Sequence, residues 1–115
     1  MITMKPVSEP DVVALLAKGR FAQPLEGYVM TDGTEYLGYC LFRTEGQTVT
    51  VLDADAPDTM MLDGLVRAAI AKAQNEGAQT FCIARDIEAL ARWAQVFIKE
   101  TPEPVNMTKI FEICD

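Results

Sequence analysis

The sequence predicts an α+β fold in which an antiparallel meander continues through a crossover helix into a parallel strand. Within residues 27–52, three strand-like runs are separated by the turn signals Asp32-Gly33 and Glu45-Gly46, a pattern typical of a meander. Residues 62–73 then carry apolar side chains at helical spacing, and a short apolar run follows. A strand, a helix and a strand in this order predict a right-handed crossover and a parallel strand pair.

The remaining elements follow from shorter patterns. Residues 2–7 are expected to form a strand, and Ser8 with Asp11 resembles a capping box before a helix that ends at Gly19. Residues 105–113 alternate between apolar and polar, which predicts a last strand, and a short helix over 109–114 is the alternative. The meander strands are expected at 27–30, 36–43 and 48–52, and the parallel strand is expected within 77–84. A further helix is expected after it, with one apolar face formed by Ile87, Leu90, Ala94, Phe97 and Ile98.

Length and charge narrow the classes of protein. The chain has 115 residues, so residues 1–115 are expected to form a single domain. Its net charge of −7 would repel a phosphate backbone, which argues against nucleic acid as a partner. No apolar run approaches the roughly 20 residues of a membrane span, and the first residues lack the pattern of a signal peptide. We therefore expect a cytoplasmic protein with no membrane partner.

Histidine is absent from the sequence, and its absence limits the chemistry. Cys40, Cys82 and Cys114 lie far apart without a C-x-x-C pair, which indicates reduced thiols in strands. Because histidine is the commonest general base and metal ligand, Ser-His and Cys-His mechanisms are excluded and no metal site is expected.

The order of elements and two local stretches resemble the GNAT superfamily of N-acetyltransferases. TDGTEYLGYCLF is similar to the family's second hairpin, and LVRAAIAKAQNEGAQTFCIA is similar to its central helix and fifth strand. The resemblance covers roughly residues 1–100. It implies a GNAT-like mixed sheet with helices on both faces. It also implies N-acyl transfer, with acetyl-CoA at the junction between the third meander strand and the central helix.

The family's pyrophosphate loop, Gln/Arg-x-x-Gly-x-Gly/Ala, falls on PDTMML in this sequence. Pro57, Met60 and Leu62 replace the three signature residues, so the loop lacks a donor and the glycines that let backbone approach phosphate. Asp58 is expected to cap the helix itself and to occupy amides that a phosphate would use. The resemblance places any acetyl-CoA contacts at Ala54, Met60 and Met61. For the two methionines the alternatives are ordinary core packing, filling of the vacated cofactor pocket, or the lining of a partner groove.

A second family motif, Asn-x-x-Ala-x-x-x-Tyr, falls on DIEALARW. Asp86 replaces the asparagine, Ala89 matches, and Trp93 stands where the family's tyrosine protonates the departing thiolate. An indole N–H donates a hydrogen bond but is no general acid near neutral pH. The sequence therefore departs from the family at two separate functional positions.

Asp53 and Asp55, after the third meander strand, are the candidate general bases for deprotonating an amine. A solvated loop that ends in a helix cap is the alternative interpretation of this acidic stretch. A third hypothesis is metal-assisted phosphoryl chemistry on the paired aspartates.

These observations favour a GNAT-like domain that serves as a binding or interaction module for an unknown small ligand or protein, with no cofactor expected. The alternative is an atypical N-acetyltransferase that uses acetyl-CoA with Asp53 or Asp55 as general base. Only 17 residues follow Ile98, which is short for the family's closing strands. Because an exposed sheet edge can pair with another chain, we expect a homodimer, with the C-terminal segment as a candidate interface.

Overall fold

The structure, a computed structural model, describes residues 1–7, 9–21, 24–99 and 101–111, apart from the side chains of 109 and 111. The strands are β1 (Ile2–Val7), β2 (Glu26–Asp32), β3 (Glu35–Glu45), β4 (Thr48–Asp55), β5 (Thr80–Ile83) and β6 (Val105–Asn106). The helices are α1 (Pro10–Ala17), α2 (Thr59–Asn75), α3 (Glu88–Phe97) and α4 (Thr108–Phe111).

The six strands form one mixed sheet in the order β1-β2-β3-β4-β5-β6. Neighbouring strands are antiparallel except β4 and β5, which are parallel from Thr48 opposite Thr80 to Val51 opposite Ile83. Helix α2 makes the crossover between these two strands. The predicted α+β fold, with its meander and its parallel pair, is confirmed.

Helices cover both faces of the sheet, because successive residues of a strand point to opposite sides. On β3, Leu41 packs with Val13 and Ala17 of α1, whereas Cys40 and Phe42 belong to the larger core under α2 and α3. Most buried apolar side chains lie in that larger core. The sheet therefore has a small core on the α1 side and a large core on the α2 side.

The ends of α2 follow the sequence signals. The carboxylate of Asp58 accepts a hydrogen bond from the Met61 amide at 2.8 Å, so the predicted N-cap is confirmed. Gly77 follows the helix with a φ of 111°, a conformation that favours glycine. The predicted capping box of α1 involves Ser8, which lies outside the described residues; the N-cap is Glu9, without a side-chain bond, and Pro10 opens the helix.

Strand β4 extends to Asp55, three residues beyond the predicted end at Leu52. Leu41 of β3 lies opposite Asp53 and Phe42 lies opposite Val51, so Leu52 is an extra residue, a β-bulge. The expectation that residue 53 begins a solvated loop is wrong for this reason. The bulge keeps the strand paired and turns the Asp53 side chain toward the α1 face.

Of the predicted strand over 105–113, only Val105–Asn106 is a strand, and the prediction is wrong for residues 107–111. The Asn106 side chain accepts hydrogen bonds from the amide and the hydroxyl of Thr108, both at 2.9 Å, and this local turn starts α4. The alternative, a short helix, is confirmed for α4; residues 112–115 lie outside the described part of the chain.

The described cysteines are free thiols in strands, as predicted. Cys40 lies buried in β3, where burial raises the pKa of its thiol, and Cys82 lies half-buried in β5. Cys114 lies outside the described residues. Among the described helices, none is both long enough and apolar enough to cross a membrane.

Candidate functional site

The candidate site lies where β4 and β5 separate. Their pairing ends at Val51 and Ile83, and the Ala84 amide still donates to the Val51 carbonyl at 2.9 Å. Beyond this point β4 continues to Asp55 beside β3 only. The separation leaves a cleft bordered by the start of α2 and by α3, because both helices begin at this end of the parallel pair.

Two neighbouring cavities occupy the cleft. The first, about 480 Å³, lies between the start of α2 and α3, and the second, about 690 Å³, lies among α1, β3, β4 and α3. Ala89 and Arg92 of α3 border both. The first is lined mainly by Pro57, Asp58, Leu62, Trp93 and Val96, the second mainly by Tyr36, Tyr39, Asp53, Asp55, Ile87 and Glu88.

Asp53, one of the two candidate bases, is held in a three-residue cluster. The residue is only 4 % exposed, and its Oδ2 accepts a hydrogen bond from the Tyr39 hydroxyl at 2.5 Å and an ion-paired hydrogen bond from Arg20 Nη2. Arg20 is itself anchored, since its Nε donates to the Ala17 carbonyl at 2.9 Å. The cluster therefore joins the end of α1 to the bulge of β4.

The electrostatics of the cluster favour its neutral tyrosine and charged arginine. Burial, followed by the hydrogen bond to Asp53, raises the pKa of Tyr39 to about 12. The hydrogen bond with Asp53 is the largest influence on Arg20 and raises the pKa of its guanidinium. At neutral pH, the carboxylate oxygen that would accept a substrate proton already has two internal donors.

Asp55, the other candidate base, has a different environment. It is exposed at the end of β4 and borders the second cavity, close enough to Tyr36 for its charge to act there. Burial and then the charge of Asp55 raise the pKa of Tyr36. The bulge thus separates the roles of the two aspartates, because one is internally bonded and the other faces solvent.

The three predicted cofactor contacts do not share one environment. Ala54 is buried in the larger core, Met61 packs partly against that core, and Met60 is 86 % exposed. The predicted alternative of core packing is therefore confirmed for Met61 and wrong for Met60. The cavity beside them is lined instead by Pro57, Asp58 and Leu62, all from the stretch aligned with the family's pyrophosphate loop.

Trp93 is a core residue whose ring also borders the first cavity. Its indole N–H donates to Asp63 Oδ1 at 2.7 Å, and the same oxygen accepts from Arg67 Nε at 2.8 Å. The ring lies 5.3 Å from that of Phe97, centroid to centroid. The N–H is thus bonded to α2, and the ring packs in the larger core.

Sequence reasoning did not find Arg20 or Asp63, and it could not choose Tyr39 among three tyrosines. Tyr39 lies on the same face of β3 as Leu41, so the alternation of the strand could have placed its side chain on the α1 side. Arg20 follows the helix stop at Gly19, and nothing local indicates that it pairs with a residue 33 positions away. In the described part of the chain, no three cysteine, aspartate or glutamate side chains gather as a metal site would require.

The fold, with its opened parallel pair, is similar to that of solved N-acetyltransferase structures. Among solved structures, the chain is similar to the ribosomal-protein-S18-alanine N-acetyltransferase from Escherichia coli, with a TM-score of 0.59, 9 % identity, and 72 % of this chain and 66 % of that chain covered. It is similar to an IAA acetyltransferase from Bacillus cereus, with a TM-score of 0.57, 15 % identity, and coverage of 72 % and 65 %.

A GNAT-family acetyltransferase from Streptococcus pneumoniae is also similar, with a TM-score of 0.52, 19 % identity, and coverage of 73 % and 75 %. The chain therefore has the GNAT fold, as its sequence predicted. The match spans just under two thirds of the first two neighbours' own length. No family model and no curated protein matches the chain.

Proposed function

We propose that this chain is a GNAT-fold binding module that does not transfer acetyl groups. The observation that carries the proposal is the bonding of Asp53, the better enclosed of the two candidate bases. Arg20 and Tyr39 both donate to one oxygen of this buried carboxylate. An amine would have to displace Arg20 or Tyr39 to reach that oxygen, so Asp53 is poorly placed to act as a general base.

Two further contacts support a binding role. Trp93 stands at the position of the family's general acid, but its indole N–H is not acidic near neutral pH and donates a hydrogen bond to Asp63. Asp58 uses the Met61 amide as its own cap, so that a phosphate would have to displace a carboxylate there. The cleft itself is open, and its volume fits a small ligand. We propose that the module acts in the cytoplasm and uses neither nucleic acid nor a membrane as partner.

Acetyl-CoA is expected to leave the melting temperature of this protein unchanged. Only a ligand that binds the native state raises the melting temperature. A like-charge contact near 4 Å costs about 4 kcal/mol at intermediate dielectric, and Asp58 presents such a charge to a pyrophosphate. The measurement is a thermal melt with and without micromolar acetyl-CoA, together with calorimetric titration. The double variant Met60→Gly, Leu62→Gly should remain without acetyl transfer, because Trp93 is unchanged. A clear upward shift in the unaltered protein would overturn the proposal.

The second candidate is an N-acetyltransferase in which Asp55 acts as general base. Its exposure at the second cavity favours Asp55 over Asp53 for this role. In that case a primary amine and acetyl-CoA would yield the N-acetylated amine and free coenzyme A. Asp55→Asn would then abolish the release of coenzyme A, whereas Asp53→Asn would chiefly alter stability. The same acetyl-CoA titration separates this candidate from the binding module.

We also propose a homodimer formed through a sheet edge. The described edges are β1, with six residues, and β6, with two. A strand edge presents unpaired amides and carbonyls that a second copy can pair. Light scattering at high protein concentration should therefore give twice the chain mass of 12.7 kDa. A monomer at every concentration would contradict this expectation.

A further inference from the structure

The cavity between α2 and α3 combines an apolar wall with a single positive charge. Pro57, Leu62, Ala89, Trp93 and Val96 line it, and Val96 is 58 % exposed although it is apolar. Arg92 is the only cationic side chain among the described residues that border the cavity. Its volume of about 480 Å³ is within the range of sites for small ligands.

Arg92 is available to a ligand because its internal partner is weak. Its Nη1 lies 3.9 Å from Glu88 Oε1, one helical turn earlier, and the two side chains are 75 % and 84 % exposed. An exposed pair of this kind contributes little to stability, so an incoming anion would lose little by replacing Glu88. An arginine can also bind a carboxylate through two parallel hydrogen bonds.

A negative charge that also borders the cavity restricts where an anion can bind. Asp58 borders the cavity, and its carboxylate is fixed on the Met61 amide. A ligand's negative group is repelled there and attracted at Arg92. The apolar residues of the lining, of which Trp93 and Leu62 are the most buried, are suited to an apolar chain or ring.

We propose that this cavity binds an amphipathic monocarboxylate, with the carboxylate on Arg92 and the apolar part against Trp93 and Leu62. The inference rests on the proposed function and names the ligand class of that binding module. The acid replaces Glu88 as the partner of Arg92, and its apolar part covers surface that is now open to water. A ligand with a positive head or with several phosphates does not fit this arrangement of charges.

Trp93 is the sole tryptophan of the chain, so its fluorescence reports on this cavity directly. We would titrate the full chain with octanoate, 1-octanol and octylamine, which share one chain length and differ in the head group. Octanoate is expected to change the emission of Trp93 saturably and at the lowest concentration. Arg92→Gln should weaken octanoate binding by about tenfold, as expected for the loss of a charge-assisted hydrogen bond.

Two further variants make the test specific. Glu88→Gln removes the competing carboxylate and should tighten octanoate binding several-fold. Lys5→Gln removes the same charge as Arg92→Gln, but on β1, and should leave binding unchanged. Equal affinity for octanol and octanoate, or equal affinity of Arg92→Gln and the unaltered protein, would overturn the proposed ligand class, as would an unchanged Trp93 emission. If any of these results is found while acetyl-CoA leaves the melting temperature unchanged, only the ligand class is wrong. If acetyl-CoA raises the melting temperature, the proposed binding-module function is itself wrong.

Discussion

Replacing Arg20 with glutamine is expected to lower the free energy of unfolding by about 1–3 kcal/mol. The variant leaves Asp53 buried, still bonded to Tyr39, but without a cation. Breaking a fully buried ion pair costs about 3–5 kcal/mol; the Arg20 side chain is 40 % exposed, so water screens the pair and we place the loss below that range. Urea denaturation of the two proteins measures the difference.

The charge of Asp53, rather than the packing of Arg20, is the expected cause of that loss. Asp53→Asn removes the buried charge and leaves Arg20 partly solvated, so the double variant should cost less than the sum of the two single variants. Additive single variants would show that Arg20 acts through packing instead.

The fold was predictable because local and long-range preferences agree in most elements. The turn pairs Asp32-Gly33 and Glu45-Gly46 fix the meander, and the apolar residues of α2 fix the crossover. The ends were less predictable. Helix α2 begins at Thr59, before its apolar stripe, because its first turn is exposed and is held by the Asp58 cap rather than by the core.

The interior of the site was not predictable from local patterns. The stretch from Asp53 to Asp58 is acidic, which indicates a solvated loop, yet Asp53 is a strand residue in a bulge and is neutralised by Arg20 from another element. Pairing of this kind depends on the three-dimensional arrangement of β4 and α1. By contrast Asp58, whose role needs only the amide three residues later, was predicted correctly.

Gly38 lies where the backbones of β3 and β4 approach each other closely beside the site. An added Cβ there would clash with the carbonyl oxygen of Asp55 and lie 3.1 Å from the Cα of Ala56, and both are backbone atoms that cannot move aside easily. The absence of a side chain at Gly38 lets the end of β4 approach β3, with Tyr39 opposite Asp55 in the register. The hydroxyl of the next residue, Tyr39, donates to Asp53, and we expect the close approach at Gly38 to position it there.

Gly38→Ala is therefore expected to lower the free energy of unfolding by about 1–3 kcal/mol, the cost of overpacking against backbone. Gly64→Ala is the matched control: it lies inside α2, where the new Cβ would meet the end of Met4 at 3.7 Å, an ordinary contact. Since alanine is more stable than glycine in a helix interior, this control should raise the free energy of unfolding by about 0.5–1 kcal/mol.

A second readout ties the Gly38 effect to the site. In the unaltered protein, burial and the bond to Asp53 raise the pKa of Tyr39 to about 12. This pKa lies above the usual value of about 10 for tyrosine in an unfolded chain. The neutral Tyr39 therefore contributes its full stabilisation below pH about 10, and this stabilisation is lost as the pH rises through about 12. In Gly38→Ala, displacement of β4 should loosen the Tyr39–Asp53 bond and bring the pKa of Tyr39 down. Phenolate absorbance followed against pH measures this, with Gly64→Ala unchanged. A destabilised Gly38→Ala variant that keeps the high pKa of Tyr39 would show that the close approach supports the sheet without positioning the tyrosine.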